Sequence, residues 1–446
     1  MKIVKFGGSS LANGEQLSKV IDIMQADPTR QVLVVSAPGK RSNDDIKVTD
    51  LLIKYANNID NTKLENQIIN RYREIANYFT LPANKFSHIA DEIANLKYKK
   101  YPNDEYRLAA FKAHGEKLNA MLIALIFNHL HLPAIYGDPL ALGITVTGTP
   151  GAASIHPSTY QNISRFPFQG HYLIVPGFYG YTTSHNIATF ARGGSDITGS
   201  ILARGLKAEL YENFTDVSAI YAANPQIIKN PQPINQMSYK EMRELAYAGF
   251  QVFNDEAIIP VIEGNIPINV KNTNQPTDPG TLIVPPTQLK VTNEITGVAS
   301  SKRFAAIYLH RYLLNKEVGF TLKILKILLK YNISYEHMPS GIDDLTIIFD
   351  KSQTTPKQIK QLLHDIQTTI KPDILNFLDN YTIIMIVGEG MRNKSGVLAH
   401  ILAPLAAANI GIQMINQGAS RISVMLGVTQ ENANRAVQVI YDAYFD

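Results

Sequence analysis

Short β-rich apolar runs alternate with helical stretches over the first two-thirds of this 446-residue chain. The runs that predict buried strands are Ile3–Val4, Val32–Ser36, Ala134–Tyr136, Tyr172–Val175 and Leu210–Glu212. Apolar spacing predicts helices at Gln16–Met24, Leu108–His129 and Asp196–Arg204. This alternation predicts an α/β fold, a mostly parallel sheet sandwiched by helices, with ligands at the carboxyl ends of the strands. Residues 60–100 are polar-rich and predict a helical insertion beside the sheet.

The composition narrows the class of protein. A chain of 446 residues is too long for one small core, which favours two or three domains. A net charge of +4 with no block of Lys or Arg argues against nucleic acid as the main partner. The absence of cysteine excludes disulfides, thiolate metal sites and a cysteine nucleophile. The chain starts with a strand pattern instead of a signal peptide, and no apolar run reaches membrane length, so we expect a cytoplasmic protein without membrane contact.

The last third of the chain contains an internal repeat. Prolines and a glycine in Thr277–Lys290 are expected to break any regular element and to mark a domain boundary. Beyond it, a shift of 77 residues superposes equivalent residues without a gap: Gly319 on Gly396, Asn332 on Asn409, Gly341 on Gly418, and Ile347–Phe349 on Val424–Leu426. Each copy has the pattern strand, glycine loop, helix, strand, glycine, strand, which predicts two paired α+β modules. Chance similarity between two α+β segments is the alternative.

Two glycine pairs point to phosphate chemistry. In "FARGGSDITGS" (190–200), Arg192 and Asp196 flank two glycines that precede a helix. Backbone N–H groups and a helix N-terminus together form an anion site. In "KFGGSS" (5–10), Lys5 ends a strand where its ammonium can meet a transferring phosphoryl group. No Walker motif is present, so a nucleotide site must belong to another kinase architecture.

Several polar residues have a structural and a functional interpretation. Glu116, in "AHGEKLNA", interrupts an apolar helix, and its partner is either a ligand ammonium or a neighbouring lysine. The neighbouring His114 is predicted to pack rather than to bind a ligand. Ser36 and Thr49 either cap local structure or bind a small polar substrate. Asp196 either caps its helix or holds Lys5 or Mg²⁺. No His spacing suits a resident metal, so the expected metal is labile Mg²⁺ that arrives with a nucleotide.

A loop after the last predicted strand is suited to a nucleoside. In "NFTDVSAIYAANP", Thr215 and Asp216 follow the strand and Tyr221 lies five residues beyond Asp216. This pattern fits a ribose acceptor followed by an aromatic surface for adenine.

Taken together, these segments resemble the aspartokinases of the amino-acid kinase family along essentially the whole chain. The matching runs, in the family's order and spacing, are "KFGGSS", "VVSAPGK…KVTD", "HGEKLNA", "GFYGY", "FARGGSD", "FTDVSAIYAANP" and "IPINVKNT…PGT". Residues 388–420 look like the second of two ACT regulatory modules. The resemblance implies a kinase domain at 1–285 and ACT (ferredoxin-like) modules at 286–375 and 376–446.

The resemblance implies that MgATP phosphorylates the β-carboxylate of L-aspartate, the first step towards lysine, threonine and methionine. Lys5 would neutralise the transferring phosphoryl group, and Asp196 would organise Lys5 and the metal. Arg192 would bind the α-carboxylate of aspartate and Glu116 its ammonium group. The remaining implied contacts are Ser36, Thr49 and Ser195 to aspartate, Gly7, Gly8 and Ser9 to the phosphates, and Thr215, Asp216 and Tyr221 to the nucleoside.

The chain departs from the family pattern on the nucleotide side. Asn224-Pro225-Gln226 stands where Asp-Pro-Arg is usual, Gln251 where a lysine is frequent, and Phe214 where Trp is common. Three of these changes remove charge, so we expect weaker ATP binding, or replacement contacts from Lys229 or Lys271.

The ACT-like modules imply regulation by an amino acid, with lysine or threonine as the effector, and a homodimer or higher oligomer of side-by-side sheets. In the first module, a helix N-terminus after Asn315 suits an effector carboxylate, while Ser340 and Asp343 supply polar groups, the latter for an ammonium. The alternatives are a kinase of another amino acid, such as glutamate or a carbamate, and a non-catalytic amino-acid sensor with a degenerate kinase domain.

Overall fold

The computed structural model describes residues 1–191, 193–250 and 257–445, which form two compact units. The first unit contains the described residues of 1–220, 233–242 and 251–290, and the second those of 221–232, 243–250 and 291–446. None of the helices in these described ranges is both long and apolar enough to cross a membrane.

Strands and helices alternate through the first unit. Its strands are β1 (Lys2–Phe6), β2 (Arg30–Val35), β3 (Ala134–Tyr136), β4 (Val146–Thr149), β5 (Ala152–Ile155), β6 (Tyr172–Pro176), β7 (Tyr179–Tyr181), β8 (Ile187–Thr189), β9 (Leu210–Thr215), β10 (Gln236–Ser238), β11 (Ile268–Asn272) and β12 (Thr281–Val284). Its helices are α1 (Gly14–Gln25), α2 (Val48–Asn57), α3 (Thr62–Tyr78), α4 (Ala83–Asn95), α5 (Asp104–His129), α6 (Ser158–Ser164), α7 (Gly194–Gly205) and α9 (Ile259–Glu263). Helix α8 (Tyr239–Tyr247) continues from the first unit into the second.

One sheet organises this unit. Its strands, in the described residues, follow the order β10-β12-β11-β9-β1-β2-β6-β3, and they are parallel except for the antiparallel β11–β12 pair. The run Val32–Val35 is fully buried, because helices cover both faces of a parallel sheet. The α/β prediction is confirmed, and the five predicted strands are β1, β2, β3, β6 and β9.

The predicted helices are present as α1, α5 and α7, and the polar stretch after residue 60 folds as α3 and α4. The Asn61 side chain caps α3 by accepting the Leu64 N–H at 3.2 Å. Ile68, Tyr72 and Ile89 are fully buried in the same core as the sheet residues Val4 and Phe6. The helical insertion is therefore part of the main core.

A buried ion pair joins two strands that flank β1. Arg30 on β2 donates from Nε to Glu212 Oε2 on β9 at 2.6 Å and from Nη2 to Oε1 at 3.0 Å. The guanidinium also donates to the Ile23 carbonyl at 2.7 Å and lies over the Phe214 ring, 5.5 Å from its centroid. Both side chains are at least nine-tenths buried, so neither charge has water as a substitute partner.

We expect Arg30→Met to destabilise the protein by about 3–5 kcal/mol, because it leaves the Glu212 carboxylate buried without a partner. The first calorimetric unfolding transition should fall by on the order of 10 °C. The double variant Arg30→Met/Glu212→Leu should recover most of this loss. Arg204→Met is the matched control, because the Arg204–Glu263 pair is partly exposed and is worth about 0–1 kcal/mol. Equal losses in the single and double variants would contradict the prediction.

The second unit contains two four-stranded antiparallel sheets. Their strands are β13 (Gly297–Ser301), β14 (Phe304–His310), β15 (Tyr335–His337), β16 (Asp344–Asp350), β17 (Ile374–Leu378), β18 (Tyr381–Val387), β19 (Met414–Asn416) and β20 (Ser423–Thr429). The helices are α10 (Phe320–Lys330), α11 (Pro356–Ile370), α12 (Val397–Ala407) and α13 (Ala433–Phe445). The sheet orders are β17-β14-β16-β15 and β13-β18-β20-β19.

The 77-residue repeat has the same backbone geometry in both copies. Gly319 and Gly396 precede α10 and α12 with φ of 79° and 84°, a region that disfavours residues with a Cβ atom. Asn332 and Asn409 follow those helices with φ of 54° and 55°. The repeat therefore marks two copies of one α+β module, not a chance similarity.

The two modules differ at one sheet edge. In the first sheet β17 pairs with β14, whereas in the second sheet β13 takes the equivalent place beside β18. The strand β13 lies within the predicted first module (286–375) but pairs with a strand of the second, because β18 has an open edge to satisfy. The predicted domain boundaries stay a prediction; the sheets show that the modules are interleaved in sequence.

The segment Thr277–Lys290 was expected to lack regular structure, and this prediction is wrong. It contains β12, which pairs with β11 and β10. The short run Thr281–Val284 is apolar enough to be buried. Two turns return the chain antiparallel to β11, closed by hydrogen bonds from the Gln275 N–H to the Asn272 carbonyl and from the Asp278 N–H to the Gln275 carbonyl.

Candidate functional site

The central strands of the sheet carry one cluster of polar groups. Lys5 on β1 lies opposite Asn213 on β9, and both side chains are almost fully buried. The Lys5 ammonium contacts Asp196 Oδ1 at 2.7 Å, and Asn213 donates to the same oxygen at 3.3 Å. The structure thus brings Lys5 and Asp196 together from a strand and a helix N-terminus almost 200 residues apart. Sequence reasoning missed Asn213, because its place opposite Lys5 depends on the pairing of β1 with β9, which no local pattern specifies.

The glycine loop after β1 lies against the loop after β2. The Gly39 N–H donates to the Gly8 carbonyl at 2.8 Å, and a Cβ atom on Gly8 would lie 2.8 Å from the Ala37 carbonyl oxygen. Only glycine permits this approach. Gly7 lies near the Lys5 ammonium, because a Cβ atom on Gly7 would be 3.9 Å from Lys5 Nζ. Ser9 is exposed. The two glycine-containing loops are therefore held together next to Lys5.

Two predicted serines are in contact beyond the carboxyl end of β2. Ser36 Oγ, after β2, donates to Ser195 Oγ, in the first turn of α7, at 3.0 Å. Asn119 on α5 donates to the Ser36 carbonyl at 2.7 Å, which fixes the end of β2 against this helix. Asn119 was not predicted; its position one helical turn after Glu116 is the signal that would have identified it.

Glu116 is a buried carboxylate that forms no ion pair with a cation of the described residues. It is 6% exposed, and its Oε2 atom has no hydrogen-bond partner among the described residues. Burial raises the pKa of Glu116 to about 8, while a backbone hydrogen bond from Ala37 acts in the opposite direction. Thr49 lies nearby, because a Cβ atom on Gly115 would lie 2.7 Å from Ala37 Cβ and 3.7 Å from Thr49 Oγ1. A ligand ammonium would supply the missing ionic partner of this carboxylate.

The predicted nucleotide residues are distributed over two units. Thr215, at the end of β9, donates to Asp216 Oδ1 at 3.1 Å, and Asp216 is exposed. Tyr221 is half-buried and belongs to the second unit. Beside Thr215, the Thr273 N–H donates to the Thr215 carbonyl at 2.9 Å, and Thr273 shares a buried hydrogen bond of 2.7 Å with Ser10. Neither Ser10 nor Thr273 was predicted.

The residues that depart from the family pattern have different environments. Phe214 is fully buried and stacks on Phe6 with ring centroids 4.8 Å apart. Asn224 is exposed and accepts the Gln226 N–H at 2.9 Å. Lys271 is half-buried and lies in register with Phe214, so it lies on the face of the sheet opposite Lys5; burial lowers its pKa.

Two residues singled out from the sequence, Arg192 and Gln251, lie outside the described residues. In the described part of the chain, no group of three or more His, Cys, Asp or Glu residues could hold a metal ion by itself. Mg²⁺ in nucleotide enzymes needs only one or two carboxylates besides the phosphates, and Asp196 and Asp216 are of the required type.

The predicted effector residues lie together in the first module. Asp343 Oδ1 accepts the Leu313 N–H at 2.7 Å, and the Asn315 N–H donates to the Ile342 carbonyl at 3.1 Å. Ser340 forms a β-bridge with Leu345. These contacts bring the turn before α10 next to the turn before β16.

Comparison with known proteins agrees with this architecture. The sequence profile of the Amino acid kinase family matches residues 1–272, and that of the ACT domain matches residues 384–444. Aspartokinase 3 of Bacillus subtilis is 43% identical over 449 residues, which cover 100% of this chain and 99% of that protein.

Solved structures agree as well. The crystal structure of Clostridium acetobutylicum aspartate kinase superposes with a TM-score of 0.85 at 36% identity, covering 99% of both chains. Escherichia coli aspartokinase III in complex with aspartate and ADP has the same fold, with a TM-score of 0.78 at 21% identity over 100% of both chains. With a matching kinase profile over more than half its length and a 43% identical relative over its full length, the chain belongs to the amino acid kinase family and, within it, to the aspartokinases.

Proposed function

We propose that this chain transfers the γ-phosphoryl group of ATP to the β-carboxylate of L-aspartate, giving 4-phospho-L-aspartate and ADP. The observation that carries the proposal is the buried Lys5–Asp196 pair at the carboxyl end of the central strands, 2.7 Å between charged atoms. A carboxylate is a nucleophile at pH 7 without a general base, so the protein has to position two substrates and neutralise charge. The product enters the route to lysine, threonine and methionine.

The aspartate pocket would lie between β2, α5 and α7. Glu116 would receive the ammonium group, since its carboxylate is buried and unpaired by any described cation. Arg192 would hold the α-carboxylate through its planar fork of donors. Ser36, Thr49 and Ser195 would bind the remaining oxygens, and the contact between Ser36 and Ser195 supports a shared position.

ATP would lie along the glycine loop and the end of β9. The residues assigned to it are Gly7, Gly8 and Ser9 at the phosphates and Thr215, Asp216 and Tyr221 at the nucleoside. Asp196, with one oxygen on Lys5, would help to hold Mg²⁺, which neutralises phosphate charge when it is bound. Lys5 would stabilise the negative charge that develops on the transferring group.

The reaction is tested by following ADP release from the full-length protein with MgATP and either L-aspartate or L-glutamate. We expect turnover that depends on aspartate, with glutamate a poor acceptor. Turnover with glutamate alone would assign the chain to another acceptor. Amino-acid binding without any turnover would favour a sensor and contradict the proposal.

The position of Lys271 leads to a prediction about ATP. Because Lys271 is on the sheet face opposite Lys5, Lys271→Met should leave the calorimetric affinity for MgATP within about twofold, a change of roughly 0.4 kcal/mol. Lys229, an exposed lysine of the second unit, is the other residue expected to replace a lost nucleotide contact. The affinity of Lys229→Met for MgATP is therefore measured beside that of Lys271→Met. A loss of tenfold or more in Lys271→Met would show that its ammonium reaches the nucleotide.

Amino-acid feedback at the first ACT module is proposed as the regulation, with lysine or threonine as the effector. Asn315, Ser340 and Asp343 would bind it beside the N-terminal end of α10. Large apolar side chains are exposed in the same region, with Val318 98% and Leu313 68% exposed. Such a patch supports a homodimer or higher oligomer formed through the ACT modules. A cytoplasmic location, without nucleic-acid or membrane partners, stays a prediction.

We expect Asp343→Asn to raise the effector concentration for half-inhibition by about tenfold or more, since a charge-assisted bond to the ammonium is lost. Asparagine retains an oxygen that accepts the Leu313 N–H, so the turn should be preserved. Activity without effector should not change. Steady-state rates with lysine or threonine titrations measure both quantities, and unchanged inhibition would remove Asp343 from the effector site.

A further inference from the structure

A cavity of about 220 Å³ lies in the first unit, and none of the residues assigned to aspartate or ATP lines it. It is bounded by the chain between α4 and α5, by α5 itself, and by the hairpin of β7 and β8. Cationic and hydrogen-bonding side chains dominate its wall: Lys99, Lys100, Lys117, His114, His185 and Tyr181. The volume is below that of pockets for drug-sized molecules, so a small ligand is expected.

Three lysines line this cavity, and one carboxylate, that of Glu92, pairs with two of them. Glu92 Oε2 lies 3.0 Å from the Lys117 ammonium and 3.3 Å from that of Lys99. Lys100 is exposed and forms no ion pair with any described residue. Each ammonium has three donors, so Lys117 and Lys99 retain free donors after binding Glu92. The wall therefore has spare positive charge and spare donors, which suit an anion.

His114 adds a different requirement. It is 1% exposed, and its Nδ1 atom lies 2.6 Å from the Ala110 carbonyl, which assigns the proton to Nδ1. Burial lowers the pKa of His114, so the ring is neutral at pH 7. Its Nε2 atom is buried without a hydrogen-bond partner among the described residues; Glu92 Oε2, at 3.6 Å, is too distant and is itself an acceptor. This lone pair needs a donor from a ligand.

We propose that this cavity binds hydrogen phosphate. The ion has acceptor oxygens for Lys100, Lys117 and Tyr181 and an O–H group that donates to His114 Nε2. Sulfate has the same size and shape but has no proton to donate at neutral pH. The proposal does not depend on the assigned catalytic residues, because none of them lines the cavity.

The test is calorimetric titration of inorganic phosphate into the full-length protein and three variants. We expect one phosphate per chain, with affinity retained in Lys5→Met, which disables the proposed phosphoryl site. Lys117→Met should weaken binding at least about tenfold, as for other charge-assisted contacts. Lys112→Met is the matched control, because Lys112 lies on the same helix and does not line the cavity. Sulfate should bind at least about tenfold more weakly than phosphate.

Binding that disappears in Lys5→Met but persists in Lys117→Met would place phosphate in the kinase site and overturn the proposal. No phosphate binding to the wild type, or equal losses in Lys112→Met and Lys117→Met, would overturn it as well. Sulfate that binds as tightly as phosphate would contradict the proposed hydrogen bond from the phosphate O–H group to His114 Nε2. If Lys117→Met fails to fold, the exposed Lys100→Met replaces it, and unchanged phosphate affinity in that variant would contradict the proposal.

Discussion

Lys5→Ala should lower kcat by about 100- to 1000-fold, the loss measured when one preorganised donor to a developing negative charge is removed. The ammonium of Lys5 is held by Asp196 Oδ1 at 2.7 Å and lies close to Gly7 of the glycine loop. Such a fixed charge acts without reorganisation when the phosphoryl group is transferred. KM for both substrates should change much less than kcat, because the interaction strengthens in the transition state.

The substitution also removes a partner of Asp196, whose side chain is 14% exposed, so some loss of stability is expected. The matched control is Lys2→Ala, on the same strand, which loses an ion pair to Asp27 of 2.7 Å at the opposite end of β1. Thermal unfolding and steady-state kinetics of both variants separate stability from catalysis. Near-normal kcat in a folded Lys5→Ala, or an equal kcat loss in Lys2→Ala, would remove Lys5 from the mechanism.

Glu116→Gln should raise KM for aspartate by about 100-fold, equivalent to about 2.7 kcal/mol, since a buried charge-to-charge contact with the ammonium is lost. The pH dependence is the more specific result. With the pKa of Glu116 raised to about 8 by burial, the empty site at pH 7 holds a protonated carboxyl group. The ammonium of aspartate binds the ionised form, so binding at pH 7 should release close to one proton.

Aspartate affinity should therefore rise about tenfold per pH unit from pH 6 towards pH 8 and then level off. Glu116→Gln should abolish this slope. Glu65→Gln is the control, because hydrogen bonds from Tyr55 and Lys97 outweigh burial and lower the pKa of Glu65, which stays ionised throughout. Calorimetry in buffers of different ionisation enthalpy measures proton release, and the same release in Glu116→Gln would assign the proton to another group.

The raised pKa of Glu116 also makes the free energy of unfolding depend on pH. Below pH 4.5 the carboxyl group of Glu116 is protonated in both the folded and the unfolded chain. Between pH 4.5 and about 8 the unfolded chain loses the proton and the folded chain keeps it, so folding stability falls as pH rises. The slope is about 1.4 kcal/mol per pH unit. Glu116→Gln should therefore be more stable than the wild type at pH 8.

Local patterns predicted much of the fold. Continuous apolar runs identified β1, β2, β3, β6 and β9, because strands of a covered parallel sheet are buried on both faces. The repeat was visible because Gly319 and Gly396 occupy a backbone conformation that few other residues tolerate. The failure at Thr277–Lys290 has the opposite cause: turn residues dominate that segment locally, while β12 is stabilised by β11 and β10.

The sequence by itself determined the strand and helix types, the two glycine loops and the positions of Lys5, Asp196 and Glu116. These follow from hydrophobic period and backbone freedom, which are local properties. Only the tertiary structure decided that Asn213 shares Asp196 with Lys5, that Asn119 fixes the end of β2, and that β13 pairs with β18. Those contacts join residues 17 to 191 positions apart, and they depend on strand order and register. Burial, which sets the proton on Glu116 and leaves His114 Nε2 without a donor, likewise exists only once the chain is packed.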